Sequence, residues 1–297
     1  MIWISIIIAL IVLIIGSITD IKKREVHDFV SYGLIFAAFG AALLYSIIYW
    51  DYTVLAQTAM GFIIGVIIAY GMFYLGQWGG GDSKLIMGLG AVLGFNVFAI
   101  FGAKDYWLLI MLVNIVFVGA IYGLIWSIYL AIKHKKAFMK NLRLWSEKRS
   151  IMLIRRILLA LVVVFALVII FFIPEEFKIL FLSFLAVVFV VFYLWLFIKI
   201  IEESCMIKET LISRLTEGDW IYKNVYIKKR LIVGPKDLGI SKEQIALLQK
   251  YDKKHKLKPV QVKEGIPFIP AFLIAFIITI MMYYANITVL SILLNLL

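Results

Sequence analysis

The stretch MIWISIIIALIVLIIGSITDIKKR, residues 1–24, decides the class of the whole chain. Residues 1–19 carry no charged side chain. A helix needs ~20 mostly apolar residues to cross ~30 Å of hydrocarbon, and this run supplies them. No basic residue precedes it, as one does in a cleavable signal peptide, so it reads as a permanent span. It ends on an aspartate, Asp20, followed at once by Lys22, Lys23 and Arg24.

Composition extends that reading to the rest of the chain. Of 297 residues, 64% are hydrophobic and only 16% charged. Ordinary soluble domains have about 45–50% and about 25%. A water-soluble globular enzyme could not enclose so much apolar surface. Disordered and collagen-like classes are excluded by the same composition, and the single cysteine, Cys205, excludes a disulfide framework or a Cys-rich zinc site. The expectation is an all-α polytopic membrane protein with about eight transmembrane helices and a small α/β cytoplasmic segment before the last of them. The spans fall at about 2–20, 29–50, 53–76, 83–102, 106–132, 157–174, 178–199 and 268–288.

Charge orients these spans. Twenty-eight of the 30 Lys and Arg fall on the odd-to-even connections, and only Lys104 and Lys178 fall on the other side. Basic loops stay in the cytoplasm, so the N-terminus is expected outside. The net charge of +12 then reflects topology and attraction to anionic lipid, which leaves no reason to expect nucleic-acid binding. The division is a five-span catalytic membrane domain (1–132), a basic connection (133–156), a two-span hairpin (157–199), a cytoplasmic segment (200–265) and a last helix (266–297). Within the cytoplasmic segment, Trp220 to Val233 alternates large apolar and basic residues as a β-hairpin would. Ser241 to Gln244 reads as a capping box opening a helix. So small a segment is expected to pack on the membrane domain.

Two acids sit at the ends of apolar spans, Asp20 and Asp82, both on the cytoplasmic side of this topology. An ionisable side chain at the bilayer is costly unless paired or hydrated, so its default reading is functional. The bland alternative makes Asp82 a helix cap. Gly79-Gly80-Gly81 before it favours close backbone approach or positive φ, and Gly16, one turn before Asp20, admits a neighbouring helix. Two carboxyls in one site cannot both ionise cheaply. One then activates water while the other, protonated, polarises a peptide carbonyl and protonates the leaving nitrogen. Such an aspartyl hydrolase calls for no cofactor and no metal. His27, His134 and His255 lack ligand spacing, and no nucleophile-elbow or phosphate-loop pattern is present.

Gly79-Gly80-Gly81-Asp82 fits the G-x-G-D pattern of intramembrane aspartyl proteases, and residues 79–91, with Lys84, resemble type IV prepilin peptidases. Thr19-Asp20-Ile-Lys-Lys-Arg-Glu-Val-His-Asp28 is similar to their first motif. Its Glu-Val-x-Asp ending resembles archaeal preflagellin peptidases in particular. Gly265-Ile-Pro-Phe-Ile-Pro270 resembles the start of the family's last helix. The resemblance covers roughly 15–100 and 258–275. It implies catalysis by Asp20 and Asp82, with Gly79, Gly81 and Lys84 as motif support. It also implies cleavage of short basic leader peptides of the class III type from archaellin or type IV pilin-like precursors, at the cytoplasmic face of the cell membrane. The C-x-x-C pairs of bifunctional N-methylating relatives are absent. Archaeal members are commonly drawn with six spans, which makes residues 157–199 an inserted hairpin. Because the cytoplasmic connections are basic, a basic leader needs local acids, and Glu25 and Asp28 are nearest in sequence to Asp20; as an alternative, Asp28 caps span two. Two other readings stay open: a presenilin or signal-peptide-peptidase type protease, and an ion-coupled transporter using the two aspartates.

Overall fold

The computed structural model describes residues 2–96, 107–227, 229–255 and 257–285. Residues 97–102 and 106 of the expected spans, residues 286–288 of the last span, and Lys104 lie outside them. Helices form where the apolar runs are. These are α1 (Ile2–Lys23), α2 (Asp28–Tyr49), α3 (Thr53–Tyr74), α4 (Gly80–Leu93) and α5 (Trp107–Lys133). After them come α6 (Lys135–Glu147), α7 (Arg149–Phe172), α8 (Glu175–Ile201), α9 (Lys242–His255) and α10 (Ile269–Tyr284). Six of these, α1, α2, α3, α5, α7 and α8, are long and apolar enough to cross a membrane. α10 is a shorter apolar helix of 16 residues, and α4 has 14.

One core holds the bundle together, with Leu13, Leu34, Leu85, Leu89, Met111 and Phe272 all enclosed. α4 lies at its centre, packed on α3, α2 and α1, and α10 closes the bundle between α1 and α5. Large apolar side chains such as Ile7, Phe36, Ile67 and Phe117 point outward, as lipid-facing residues do. Aromatic residues gather at one end, where Trp3 stacks on Tyr284 and Trp107 meets Tyr283 edge-on. Such belts mark a membrane–water boundary. From Trp3 to Asp20 a helix rises about 25 Å at 1.5 Å per residue, close to a hydrocarbon thickness.

The basic connection at 133–156 is not a loop. Its middle is α6, an amphipathic helix whose Phe138, Leu142 and Trp145, spaced by four and three, pack beside Ile151, Leu196 and Ile200. Beyond α8 the chain makes one wide π-helical turn (Glu202–Met206) and enters the small sheets. β1 (Ile207–Thr210), β5 (Val260–Lys263) and β2 (Trp220–Ile221) form an antiparallel sheet in the order β1-β5-β2. β3 (Val225–Ile227) and β4 (Arg230–Val233) form a separate hairpin. The alternation over 220–233 is therefore divided: residues 225–233 are the hairpin, and Trp220 pairs with Lys263. Ser241 and Gln244 exchange the two hydrogen bonds of a capping box before α9.

The sheet region packs on the bundle. Glu202 is bonded to Lys199 at 2.9 Å and to Lys263 at 2.7 Å, which ties β5 to the end of α8. Gly76, at φ +67°, carries no Cβ, and one built there would stand 3.3 Å from the Trp220 ring. A side chain at that left-handed position would be strained and crowded at once. Trp220 thus rests on the turn that leads into the triple glycine.

Candidate active site

Asp20 sits in the last turn of α1 and is only 7% exposed. Its Oδ2 accepts a hydrogen bond from the Ile269 amide at 3.0 Å, 249 residues away. Ile269 is the first residue of α10, so the Asp20 carboxylate lies at the positive end of another helix. Pro270 follows and has no amide to offer. Gly16, one turn earlier, makes this approach possible: a Cβ there would stand 3.3 Å from Ile269 and 3.7 Å from Leu85.

Asp82 is half-buried in the first turn of α4. It is not the N-cap, which is Gly79; its Oδ2 accepts from the Gly79 amide at 3.0 Å and so satisfies an amide at the start of its own helix. The expected positive φ does not fall in the triple glycine: Gly79 has φ −72°, and Gly76 supplies the left-handed turn instead. Gly81 serves close approach, because a Cβ there would stand 3.0 Å from Val26 Cβ. The α1–α2 connection and the start of α4 are therefore in contact, and the two carboxyls lie within electrostatic reach of one another. Neither is ion-paired to a cation among the described residues.

Lys84 binds Asp28 and lies 5.2 Å from the Tyr32 ring centroid, which ties α4 to α2. Asp28 is the first helical residue of α2 and not its cap; the N-cap is His27. Glu25 stands exposed on the same connection. Arg24 ends α1 at φ 60°, donates to the Gly265 carbonyl at 3.1 Å and lies 5.2 Å from the Trp126 ring centroid. Trp78, before the triple glycine, stacks edge-on against Phe272 at 5.4 Å. Sequence reasoning singled out neither Trp78, Arg24 nor the α5 aromatics. The aromatics gave no signal beyond rings on or beside apolar spans, which ordinarily means packing, and Arg24 read only as part of the basic turn. The arrangement is one buried and one half-buried carboxyl, neither ion-paired among the described residues, each held by a backbone amide at a helix start, beside a glycine-permitted contact. Such a pair can share a proton and work on water and a carbonyl together.

Comparison with known proteins gives the same region. The preflagellin peptidase of Methanococcus maripaludis is 41% identical over 83 residues, 27% of this chain and 35% of its own length. That of Methanocaldococcus jannaschii is 39% identical over 95 residues, 30% of this chain and 38% of its own. That of Methanococcus voltae is 34% identical over 96 residues, 32% and 41% respectively. The chain thus aligns with well under half the length of these relatives. No solved structure matches it. Over residues 7–128, the stretch that holds both aspartates, the chain matches the type IV leader peptidase family.

Proposed function

We propose that this protein is a membrane-embedded aspartyl endopeptidase that removes short basic leader peptides from archaellin or type IV pilin-like precursors. The observations that carry it are the burial of Asp20, the half-burial of Asp82 on the element that touches the α1–α2 connection, and the lack of an ion pair to either among the described residues. In this reading one carboxylate takes a proton from water as the other, protonated, polarises the scissile carbonyl, and the proton passes on to the leaving nitrogen. The printed names of the relatives and the family match support the substrate class. No cofactor has a part in this scheme.

The chain crosses the cell membrane eight times, α4 and α10 being the short crossings, with its N-terminus outside and the aspartates facing the cytoplasm. The basic connections and the sheet region, gathered at the aspartate end, support that orientation. Residues 1–132 with the last helix, from 266, form the catalytic part, residues 133–156 a connection, 157–199 an added hairpin and 200–265 a cytoplasmic segment. Glu25 and Asp28 receive the basic leader. Asp28 already holds Lys84, so a leader cation competes there, and the exposed Glu25 is the more open receiver.

The test is cleavage of purified precursors by membranes carrying Asp20→Asn, Asp82→Asn and the double variant. Each single change abolishes turnover while the protein stays inserted, and the double costs no more than either, because the carboxyls act as a unit. The wild-type pH profile is bell-shaped: activity falls in acid as both carboxyls protonate and in base as both ionise. Substantial turnover in either single variant overturns the assignment.

A further inference from the structure

One rung of the β1-β5-β2 sheet leads toward both aspartates. In it Lys263, on the middle strand, pairs with Ile207 on one side and with Trp220 on the other. From Lys263 the chain runs only six residues to Ile269, whose amide holds Asp20. That path is short and well fixed. The Glu264 amide donates to the Met206 carbonyl at 2.8 Å, and the Gly265 carbonyl accepts from Arg24 at 3.1 Å. Pro267 fixes its own φ and biases Ile266 toward extended backbone. Arg24 in turn donates its amide to the carbonyl of Asp20 itself, at 2.9 Å.

From Trp220 the path to Asp82 runs by contact. Ile221 is enclosed in the core of the sheet region, so strand alternation turns Trp220 the other way, toward the bundle. A Cβ on Gly76 would stand 3.3 Å from Cη2 and 3.6 Å from Cζ3 of the Trp220 ring. Those rim atoms are the far end of the longest aromatic side chain. Gly76 turns the chain at φ +67°, and three residues on, the Gly79 amide holds Asp82. Between the two glycines Trp78 is buried, edge-on against Phe272 in the first turn of α10. The segment that delivers Asp82 therefore touches both Trp220 and α10, and the start of α10 holds Asp20.

We propose that Trp220 is a positioning residue for the two aspartates: its ring and the β5 strand it pairs with form a strut between the turn before Asp82 and the start of α10 that holds Asp20. This rests on the cleavage reading above. It gives the small sheet a part in the chemistry through geometry alone, because Trp220 acts through Gly76 and not on the reacting atoms. Two carboxyls that must work together on one bond tolerate little error, and a shift of about 1 Å costs on the order of 100-fold in rate.

The experiment uses the full-length protein in membranes and a purified archaellin precursor as probe. Trp220→Ala keeps the backbone pairing with Lys263 and removes the ring. It is expected to lower kcat about 10- to 100-fold per folded, inserted molecule, with KM changed by less than about 2-fold. Trp220→Phe keeps a shorter ring and should restore part of that rate. Leu231→Ala removes an exposed side chain from β4 of the same segment and should leave both constants unchanged. A ring that only fastens the sheet down gives a lower Tm with kcat per folded molecule unchanged, and that result overturns the strut. A raised KM with unchanged kcat also overturns it, because the ring would then meet substrate. If Trp220→Ala does not fold, Trp220→Phe decides: a lowered kcat at native Tm supports the strut, and the wild-type kcat overturns it. Asp20→Asn is assayed alongside. If it is inactive while the Trp220 variants keep the wild-type kcat, the strut alone fails. If Asp20→Asn still cleaves, the peptidase reading fails and takes the strut with it.

Discussion

Helices α3 and α4 and helices α7 and α8 are both pairs of sequential neighbours, but their contacts are of opposite kinds. Between α3 and α4 the backbones touch. A Cβ on Gly61 would stand 2.1 Å from the Gly90 carbonyl oxygen, one on Gly90 2.4 Å from that of Gly61, and one on Gly65 2.9 Å from that of Ile86. Between α7 and α8 bulky side chains dominate, and Val164, Phe165, Leu167, Phe184 and Val187 all remain exposed. In lipid, apolar side chains gain little by leaving hydrocarbon for one another, so a helix clothed in Leu, Val and Phe is content without a partner. Close backbone packing is what fixes one helix against another. The pair that carries the triple glycine and Asp82 has it, and the hairpin beyond the family match does not. Positioning a reacting group needs that rigidity, whereas crossing a membrane does not.

The largest expected effect breaks the first pair. Gly90→Val places a side chain against backbone that cannot yield, and should cost more than ~4 kcal/mol, enough to prevent a folded, active bundle. Val187→Ala on α8 should change stability by less than ~0.5 kcal/mol, because its side chain already faces lipid. Thermal melts of both proteins in detergent, with cleavage assayed in parallel, check the contrast. A native melt for Gly90→Val would show that the glycine contact does not hold the helices together.

The same contrast explains what could be read in advance. Apolar runs as long as a bilayer is thick are local signals, so α1, α2, α3, α5, α7 and α8 lie where the composition put them. α6 carries Lys135, Lys136, Lys140 and Arg143 among its apolar residues and reads as a basic loop; only the 138, 142, 145 spacing betrays its packed face. Trp220 was grouped with the hairpin because its alternation is continuous with it, yet its partner Lys263 lies 43 residues away and leaves no local trace. Asp20 and Asp82 stand out in sequence as acids on apolar spans. The amide of Ile269 does not, since a hydrogen bond across 249 residues has no periodicity. Nor do Tyr122 and Trp126, which look like ordinary packing until their donors are found without acceptors among the described residues.

A middle-sized effect sharpens the contrast within the region of the two aspartates itself. A Cβ on Gly81 would meet the Val26 side chain at 3.0–3.2 Å and the Val26 amide nitrogen only at 3.6 Å, a looser fit than the carbonyls that face Gly61 and Gly90, so the neighbour can partly yield. Gly81→Val should leave the bundle folded but push the α1–α2 connection away from α4, separating Asp20 from Asp82. A shift of about 1 Å in such a site costs on the order of 100-fold in rate. Val26→Gly, added to Gly81→Val, removes both the Cβ and the Cγ2 that a side chain at 81 meets and should restore part of that loss. Cleavage rates of the two variants, at matched amounts of inserted protein, test it. Equal loss with and without Val26→Gly would mean that the contact does not set the geometry.

The smallest effect is expected where the hairpin region is fastened down. The Trp145 indole on α6 donates to Glu203 at 2.7 Å, just beyond α8, and Trp145 packs edge-on against Trp195. Trp145→Phe removes the donor and keeps an aromatic ring. The bond is solvent-exposed, so its loss should lower stability by only about 0.5–1 kcal/mol. A Tm lowered by a few degrees follows, and kcat/KM should be unchanged, because neither Trp145 nor its partners Glu203 and Trp195 has a described contact with Asp20 or Asp82. Measuring both on the same preparation separates the two quantities. A fall in kcat/KM larger than the loss of folded protein would tie α6 to the site and remove the division between a rigid bundle that carries the two aspartates and a loosely held hairpin.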